Sequence, residues 1–180
     1  MTAQTEFEVK ALEINPADTA TLIAEAGGVH VADRTMRRYV YDIAPGEPGR
    51  WIRLRDTGSE VTLCVKEITS TAVDGTRETE VVVSDFDTTH ALLGHLGFTA
   101  KAYQENLRSS WLLDGVRLEI DSWPLIPPYL EIEGDDAEQV WQAAKRLGLT
   151  RAELTSENTT AVYARYGIDL ETIPDLRFLT

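Results

Sequence analysis

In strand after strand of this chain the long charged residues fall on one face and the apolar residues on the other. Glu6, Glu8 and Lys10 alternate with Phe7 and Val9, and Arg53 and Arg55 with Ile52 and Leu54. Thr62, Cys64 and Lys66 alternate with Val61, Leu63 and Val65, Glu119 and Asp121 with Leu118 and Ile120, and Glu131 and Glu133 with Leu130 and Ile132. A period of two marks an extended strand, whose side chains point alternately to the two faces of a sheet. Alternation recurs at Glu6 to Leu12, Ala32 to Ile43, Arg50 to Arg55, Val61 to Ile68, Arg77 to Val83, Phe98 to Leu113, Val116 to Trp123 and Tyr129 to Glu133. That predicts about eight strands.

One such strand is explained by a sheet with a packed face and a wet face. The accumulation of long charges of both signs asks for more. Eight strands suffice to close a barrel and remove its exposed edges. Helices covering an apolar outside would then leave a charged lumen. Four helices are expected: one capped by Asn15-Pro16 and ended by Gly27-Gly28, one from Asp87 to Gly97, one opened by Asp135-Asp136 with the stripe Val140, Trp141, Ala144, Leu147, and one from about Ser156 to Tyr166. Leu113-Asp114-Gly115-Val116 reads as a two-residue type I′ hairpin, which pairs Ser110 with Glu119 and Arg108 with Asp121. Arg108, Arg117, Glu119 and Asp121 then share a face. The expected fold is α+β: an eight-stranded antiparallel β-barrel with helices packed on the outside. At 180 residues it is expected as a single domain, 1–180, with a core at about 4–166 and a tail at 167–180.

Charge and composition narrow the ligands. A net charge of −13 argues against nucleic acid or an anionic membrane surface as partner, since both are polyanions. No apolar run approaches the ~20 residues of a membrane span. The segment Met1 to Glu6 has no basic or apolar leader and Cys64 is the only cysteine, so a reducing cytoplasm is the expected location. A lumen of ionised groups is costly to desolvate unless those groups are paired or meet a ligand. Arg53, Arg55, Arg108 and Lys66 offer N–H donors suited to phosphate oxygens. Glu6, Glu8, Glu131 and Glu133 offer hard oxygen ligands suited to Mg²⁺ or Mn²⁺. Together they suit a metal-bound polyphosphate.

The same residues carry a family resemblance. Glu6-Phe7-Glu8-Val9-Lys10, then Arg53-Leu54-Arg55, Lys66, Arg77-Glu78-Thr79-Glu80, Arg108, Asp121 and Glu131-Ile132-Glu133 resemble, in order, the motifs of the CYTH domain, or triphosphate tunnel metalloenzymes. The likeness runs from Glu6 to about Tyr166. Tyr103-Gln104-Glu105-Asn106, Trp123-Pro124 through Glu131, and Tyr166-Gly167-Ile168-Asp169 look most like the bacterial branch labelled class IV adenylyl cyclase. The family also contains inorganic, nucleoside and thiamine triphosphatases. The resemblance implies that Glu6, Glu8, Glu131 and Glu133, with Glu119 and Asp121, hold Mg²⁺ or Mn²⁺. Asp121 reads equally as the salt-bridge partner of Arg108. Lys10, Arg53, Arg55, Lys66, Arg108 and Lys101 would clamp the phosphates, and Glu80, Lys66 and Arg108 would serve catalysis. Lys101 departs from the pattern, because Tyr103 stands where many members have an arginine. Since Glu78 and Glu80 have the opposite parity to Arg77, Glu80 is expected to face the lumen.

The remaining residues point nowhere else. His30, His90 and His95 lack ligand spacing, and Ser109 and Ser110 lack a nucleophile motif. Trp51 shares the parity of Arg53 and is placed at the tunnel mouth; Cys64 reads as a small filler. The expected function is metal-dependent hydrolysis of inorganic triphosphate or a triphosphate-bearing organic substrate, because no base-recognition motif is present. Conversion of ATP to cyclic AMP and pyrophosphate is the first alternative. A non-catalytic polyphosphate or nucleotide binder is the second.

Overall fold

The computed structural model describes residues 4–46, 49–70 and 72–179. Residues 1–3 and Thr180, the outer limits of the expected domain, lie outside the described residues, as does the first half of the segment Met1 to Glu6. The strands are β1 (Gln4–Ala11), β2 (Val29–Asp42), β3 (Arg50–Asp56), β4 (Val61–Ile68), β5 (Thr76–Val83), β6 (Ala100–Leu113), β7 (Val116–Ser122) and β8 (Tyr129–Gly134). Two-residue strands β9 (Leu154–Thr155) and β10 (Asp175–Leu176) follow. The helices are α1 (Pro16–Glu25), α2 (Phe86–His95), α3 (Ala137–Arg146) and α4 (Thr159–Arg165).

The first eight strands close on themselves in the order β6-β2-β3-β4-β5-β1-β8-β7, with β7 returning to β6 and every pairing antiparallel. Short β9 adds to β1, and β10 runs parallel beside β6. The segment after Gly167 is therefore tied to the barrel, through β10 and the buried Leu170 and Leu176.

Local chemistry sets the boundaries. Asn15 caps α1 by accepting from the N–H groups of Ala17 and Asp18 at 3.0 and 3.2 Å. Asp136 caps α3 through Gln139 N–H at 2.8 Å. Helix α2 begins one residue before the sequence reading because Asp85, not a later aspartate, is its cap. Asn158 caps α4 and starts it later than expected. The hairpin is of the expected kind: Asp114 and Gly115 have φ of 49° and 87°, and the register pairs Leu113 with Val116, Ser110 with Glu119 and Arg108 with Asp121.

The apolar face of the barrel points outward. Val9, Leu118, Ile120, Leu130 and Ile132 pack under α1 and α3 with Ile23, Val140, Ala144 and Leu147. Tyr41, Ile52 and Leu54 pack under α2 with Phe86 and Leu93. Trp123, Tyr129, Val162, Tyr163, Leu170 and Leu176 form a third cluster under α4 and the C-terminal segment, in which Trp123, Tyr129 and Leu170 also face the interior. With the hydrophobic driving force spent on the outside, the charged parity is left to line the interior. No helix among the described residues is long and apolar enough to cross a membrane.

Candidate functional site: a tunnel with two charged walls

The interior is a tunnel of about 1270 Å³. Strand order sorts its charges. Neighbouring strands β6, β2, β3 and β4 bring Arg108, Arg34, Arg38, Arg53, Arg55 and Lys66 to one wall. Neighbouring strands β5, β1, β8 and β7 bring Glu78, Glu80, Glu6, Glu8, Glu131, Glu133 and Glu119 to the other. Lys10 and Arg117 are the cations set into the acidic wall.

On the acidic wall the register stacks carboxylates side by side: Glu8 opposite Glu133, and Glu119 opposite Glu131. Like charges directly opposed destabilise a sheet unless a cation lies between them. Buried Lys10 partly supplies it, with Nζ 2.8 Å from Glu8 and 3.2 Å from Glu131. Glu131 also takes a bond from Arg108 at 3.1 Å. Though burial opposes its ionisation, Lys10 and Arg108 hold Glu131 well below the usual carboxylate range. Lys66 donates to both oxygens of Glu6 at 2.9 and 2.8 Å and lies 3.1 Å from Glu78. Even so, burial, then the hydrogen bond with Glu78, pushes Glu6 up to about 8. Glu78 goes the other way: against its burial, the Glu6 hydrogen bond and then Arg53 and Lys66 hold it ionised. Of the two, Glu6 is the carboxyl whose protonated form the site favours and Glu78 the one it keeps ionised. Buried Glu119 has an Oε2 with no hydrogen-bond partner among the described residues, and burial raises its pKa. Excess carboxylate, one carboxyl with a raised pKa and one orphaned oxygen fit a hard divalent cation supplied from outside. A tighter group, Cys64, Glu78 and Glu80, has ligand atoms within 4.8 Å of one another. Its thiol is pushed up to about 12, first by burial, and stays protonated, and both of its carboxylates face Arg53, so it is the poorer cation site.

The basic wall has the opposite deficit. Arg53 pairs with Glu78 at 2.8 Å and more loosely with Glu80 at 3.4 Å; Arg55 reaches Glu80 at 3.5 Å. The Nε atoms of Arg38, Arg53 and Arg55 are buried without hydrogen-bond partners among the described residues. Burial, then the neighbouring guanidiniums of Arg53 and Arg108, lowers Arg55 to about 10. Three orphaned guanidinium N–H groups on one wall fit an anion with several oxygens.

Each sequence-predicted residue can now be placed. Glu6, Glu8, Lys10, Arg53, Arg55, Lys66, Glu80, Arg108, Glu119, Glu131 and Glu133 line one tunnel. Asp121 sits behind Arg108: wholly buried, it accepts from Arg108 Nε at 2.8 Å and Nη2 at 2.5 Å, and from Asn106 Nδ2 at 3.0 Å. Lys101 has the wrong parity for the lumen but reaches its mouth, because a register shift between Val40 and Tyr41 of β2 re-aims it; Nζ lies 2.5 Å from Asp42. Trp51 also lines the tunnel. Sequence reasoning missed three residues of the site, Glu78, Arg34 and Arg38. Glu78 has the parity of Glu80 and faces inward with it, while Arg77 is exposed. Arg34 and Arg38 went unseen because β2 carries charges on both faces, Arg34, Arg38 and Asp42 inward and Asp33 and Arg37 outward, with apolar Met36 and Val40 between the inward ones, so no single charged stripe marked the lumen face. The outward Tyr39 and Tyr41 were the available signal.

Comparison with curated proteins found no match. Comparison with solved structures found the same fold at low identity. A conserved hypothetical protein from Pyrococcus furiosus is 22% identical with a TM-score of 0.73, over 86% of this chain and 98% of that one. A candidate adenylate cyclase from Vibrio parahaemolyticus is 15% identical with a TM-score of 0.75, over 91% and 99%. The Hippeastrum adenylyl cyclase candidate HpAC1, for which a dominant triphosphatase activity is described, is 16% identical with a TM-score of 0.60, over 93% and 99%. The CYTH domain family model matches residues 4–163, which include the strands of both charged walls. A closed eight-stranded tunnel carrying the family's motifs in order, matched by that model over most of its length, places this chain in the CYTH domain family.

Proposed function

We propose that the tunnel is the active site of a metal-dependent triphosphatase, acting on inorganic triphosphate or on a triphosphate-bearing organic substrate. One observation carries the reading: a cationic wall with orphaned guanidinium N–H groups faces a carboxylate wall with unspent negative charge. A bare polyanion would suit only the first wall. A polyphosphate with its divalent cation suits both.

In this reading Arg53, Arg55, Lys66, Arg108 and Lys10 hold the phosphate oxygens, with Lys101 at the mouth. Arg and Lys donors fixed in a buried site stabilise charge developing on the transferred phosphoryl without reorganising at the moment of reaction. Glu6, Glu8, Glu131 and Glu133, joined by Glu119, would hold Mg²⁺ or Mn²⁺. Bound there, the ion would supply Lewis-acid polarisation of the phosphoryl oxygens. Asp121 has both oxygens engaged and is assigned to positioning Arg108. Glu80, the more exposed of the two β5 carboxylates, orients the attacking water. Glu78 anchors Arg53 and Lys66. Water delivered at this wall makes the enzyme a hydrolase. An adenylyl cyclase would use nearly the same lumen with the ribose 3′-hydroxyl as nucleophile, and Trp51 at the mouth is the feature that favours a bound nucleoside.

The test is turnover with Mg²⁺ or Mn²⁺, offering inorganic triphosphate and ATP separately and resolving orthophosphate, pyrophosphate and cyclic AMP. Orthophosphate without cyclic AMP is expected. Cyclic AMP with stoichiometric pyrophosphate would replace the triphosphatase reading with the cyclase one. Tight binding without any product would leave a binding module.

A further inference from the structure

We propose that Arg38 is a further phosphate-contacting residue of the tunnel, forming with Arg55 a paired guanidinium site for one phosphoryl group. The inference rests on the triphosphate reading above and adds to it a residue that neither the family motifs nor the charge stripes had marked.

The two arginines are direct cross-strand partners, Arg38 on β2 and Arg55 on β3. Like charges in that relation repel. Most other cations of the lumen are held by nearby carboxylates: Lys10 by Glu8, Lys66 by Glu6, Arg53 by Glu78, Arg108 by Asp121. Arg55 has only the loose contact to Glu80 at 3.5 Å. Arg38 is 8% exposed and forms no ion pair among the described residues. The groups that hold it are neutral: one Nη donates to Asn106 Oδ1, the guanidinium lies 4.5 Å from the Trp123 ring centroid, and Nε has no hydrogen-bond partner among the described residues. Asp121 is the nearest compensating charge, but Arg108 and Asn106 occupy its oxygens. Burial, then Arg53, Arg55 and Arg108, pushes Arg38 down to about 9, the signature of a crowded cation lacking its counter-ion.

Asn106 and Trp123 fix the plane of the guanidinium and add no charge. A planar cation on the tunnel wall, held by a neutral clamp, with a buried and unpartnered Nε–H and a second arginine opposite, suits a tetrahedral dianionic group. A stabilising role for Arg38 would predict the reverse arrangement, with a carboxylate beside it and no orphaned donor.

The two roles differ in what removal of the charge does. The experiment compares wild type, Arg38→Met and Arg38→Lys by thermal unfolding, and by calorimetric titration with inorganic triphosphate, with and without Mg²⁺. Arg38→Met removes a repulsive buried charge, so its ligand-free Tm should equal or exceed that of wild type, within about 2 °C. Its Kd for triphosphate should weaken at least tenfold, the loss of one charge-assisted contact. Arg38→Lys keeps the charge without the fork and should bind between the two. Unchanged triphosphate affinity in Arg38→Met would overturn the inference. So would a destabilised or unfolded Arg38→Met protein, because it would show that Arg38 supports the fold. A wild-type protein that binds no triphosphate in either condition would instead sink the triphosphatase reading itself.

Discussion

Asp121→Asn separates a positioning carboxylate from a metal ligand. Asp121 is 0% exposed, and its oxygens receive three N–H donors, two from Arg108 and one from Asn106. An amide at this position must turn an NH₂ group toward one of those donors, so at least one bond becomes a repulsion. Breaking a buried ion pair by removing one partner costs about 3–5 kcal/mol. Arg108 retains Glu131 at 3.1 Å and Glu119 at 3.9 Å, which places the loss at the lower end, about 3 kcal/mol. At about 2–4 °C per kcal/mol for a chain of this length, Tm should fall by roughly 6–12 °C. Thermal unfolding by circular dichroism at pH 7 reads this directly. Activity should fall with it as Arg108 loses its fixed orientation, while the Mg²⁺ or Mn²⁺ concentration giving half-maximal rate stays unchanged. If that concentration rises more than about tenfold while Tm holds, Asp121 ligates the metal and the positioning argument is wrong.

Two other predictions follow from the charge of the walls. Glu8→Gln removes one carboxylate from the acidic wall while Lys10 keeps Glu131 at 3.2 Å, so the fold should persist. Turnover should drop on the order of 100-fold, while metal-free binding of inorganic triphosphate is kept or improved, as steady-state rates and titration with a chelator present would show. The metal-free protein should also lose stability as pH rises. Glu6 has a folded pKa of about 8, above its unfolded value, so its contribution is complete below the unfolded pKa and vanishes as pH passes through about 8. Urea unfolding at pH 5, 7 and 9 should show this decline, and Glu6→Gln should flatten it; a wild-type profile that is flat or rises over that range would contradict the raised pKa of Glu6.

Much of the fold could be read from particular residues. Asn15 and Asp136 cap the helices they were expected to cap, and Asp114-Gly115 set a hairpin register that the structure reproduces pair for pair. These are local effects, fixed by a few neighbouring dihedrals and one or two hydrogen bonds. Lys101 was harder to place because a one-residue register shift breaks the period on which parity depends. Arg38 was invisible for a different reason. A strand advertises its lumen face through charge contrast, and β2 lacks that contrast because Asp33 and Arg37 lie on the face opposite Arg34, Arg38 and Asp42.

The sequence by itself determined which residues face inward. A period of two leaves each strand no choice once its apolar face is buried, and the helices supply the surface that buries it. What it could not determine was where on the circumference each strand would stand. Acidic β1 lies next to β5 and β8, and basic β6 next to β2, only because of long-range pairings between segments far apart in the chain. Closure in that order gathers arginines onto one wall and carboxylates onto the other. Each wall alone repels itself, and the hydrophobic burial outside the barrel is what holds such a lumen together. The charges belong to the sequence, and their separation into two facing walls belongs to the tertiary structure.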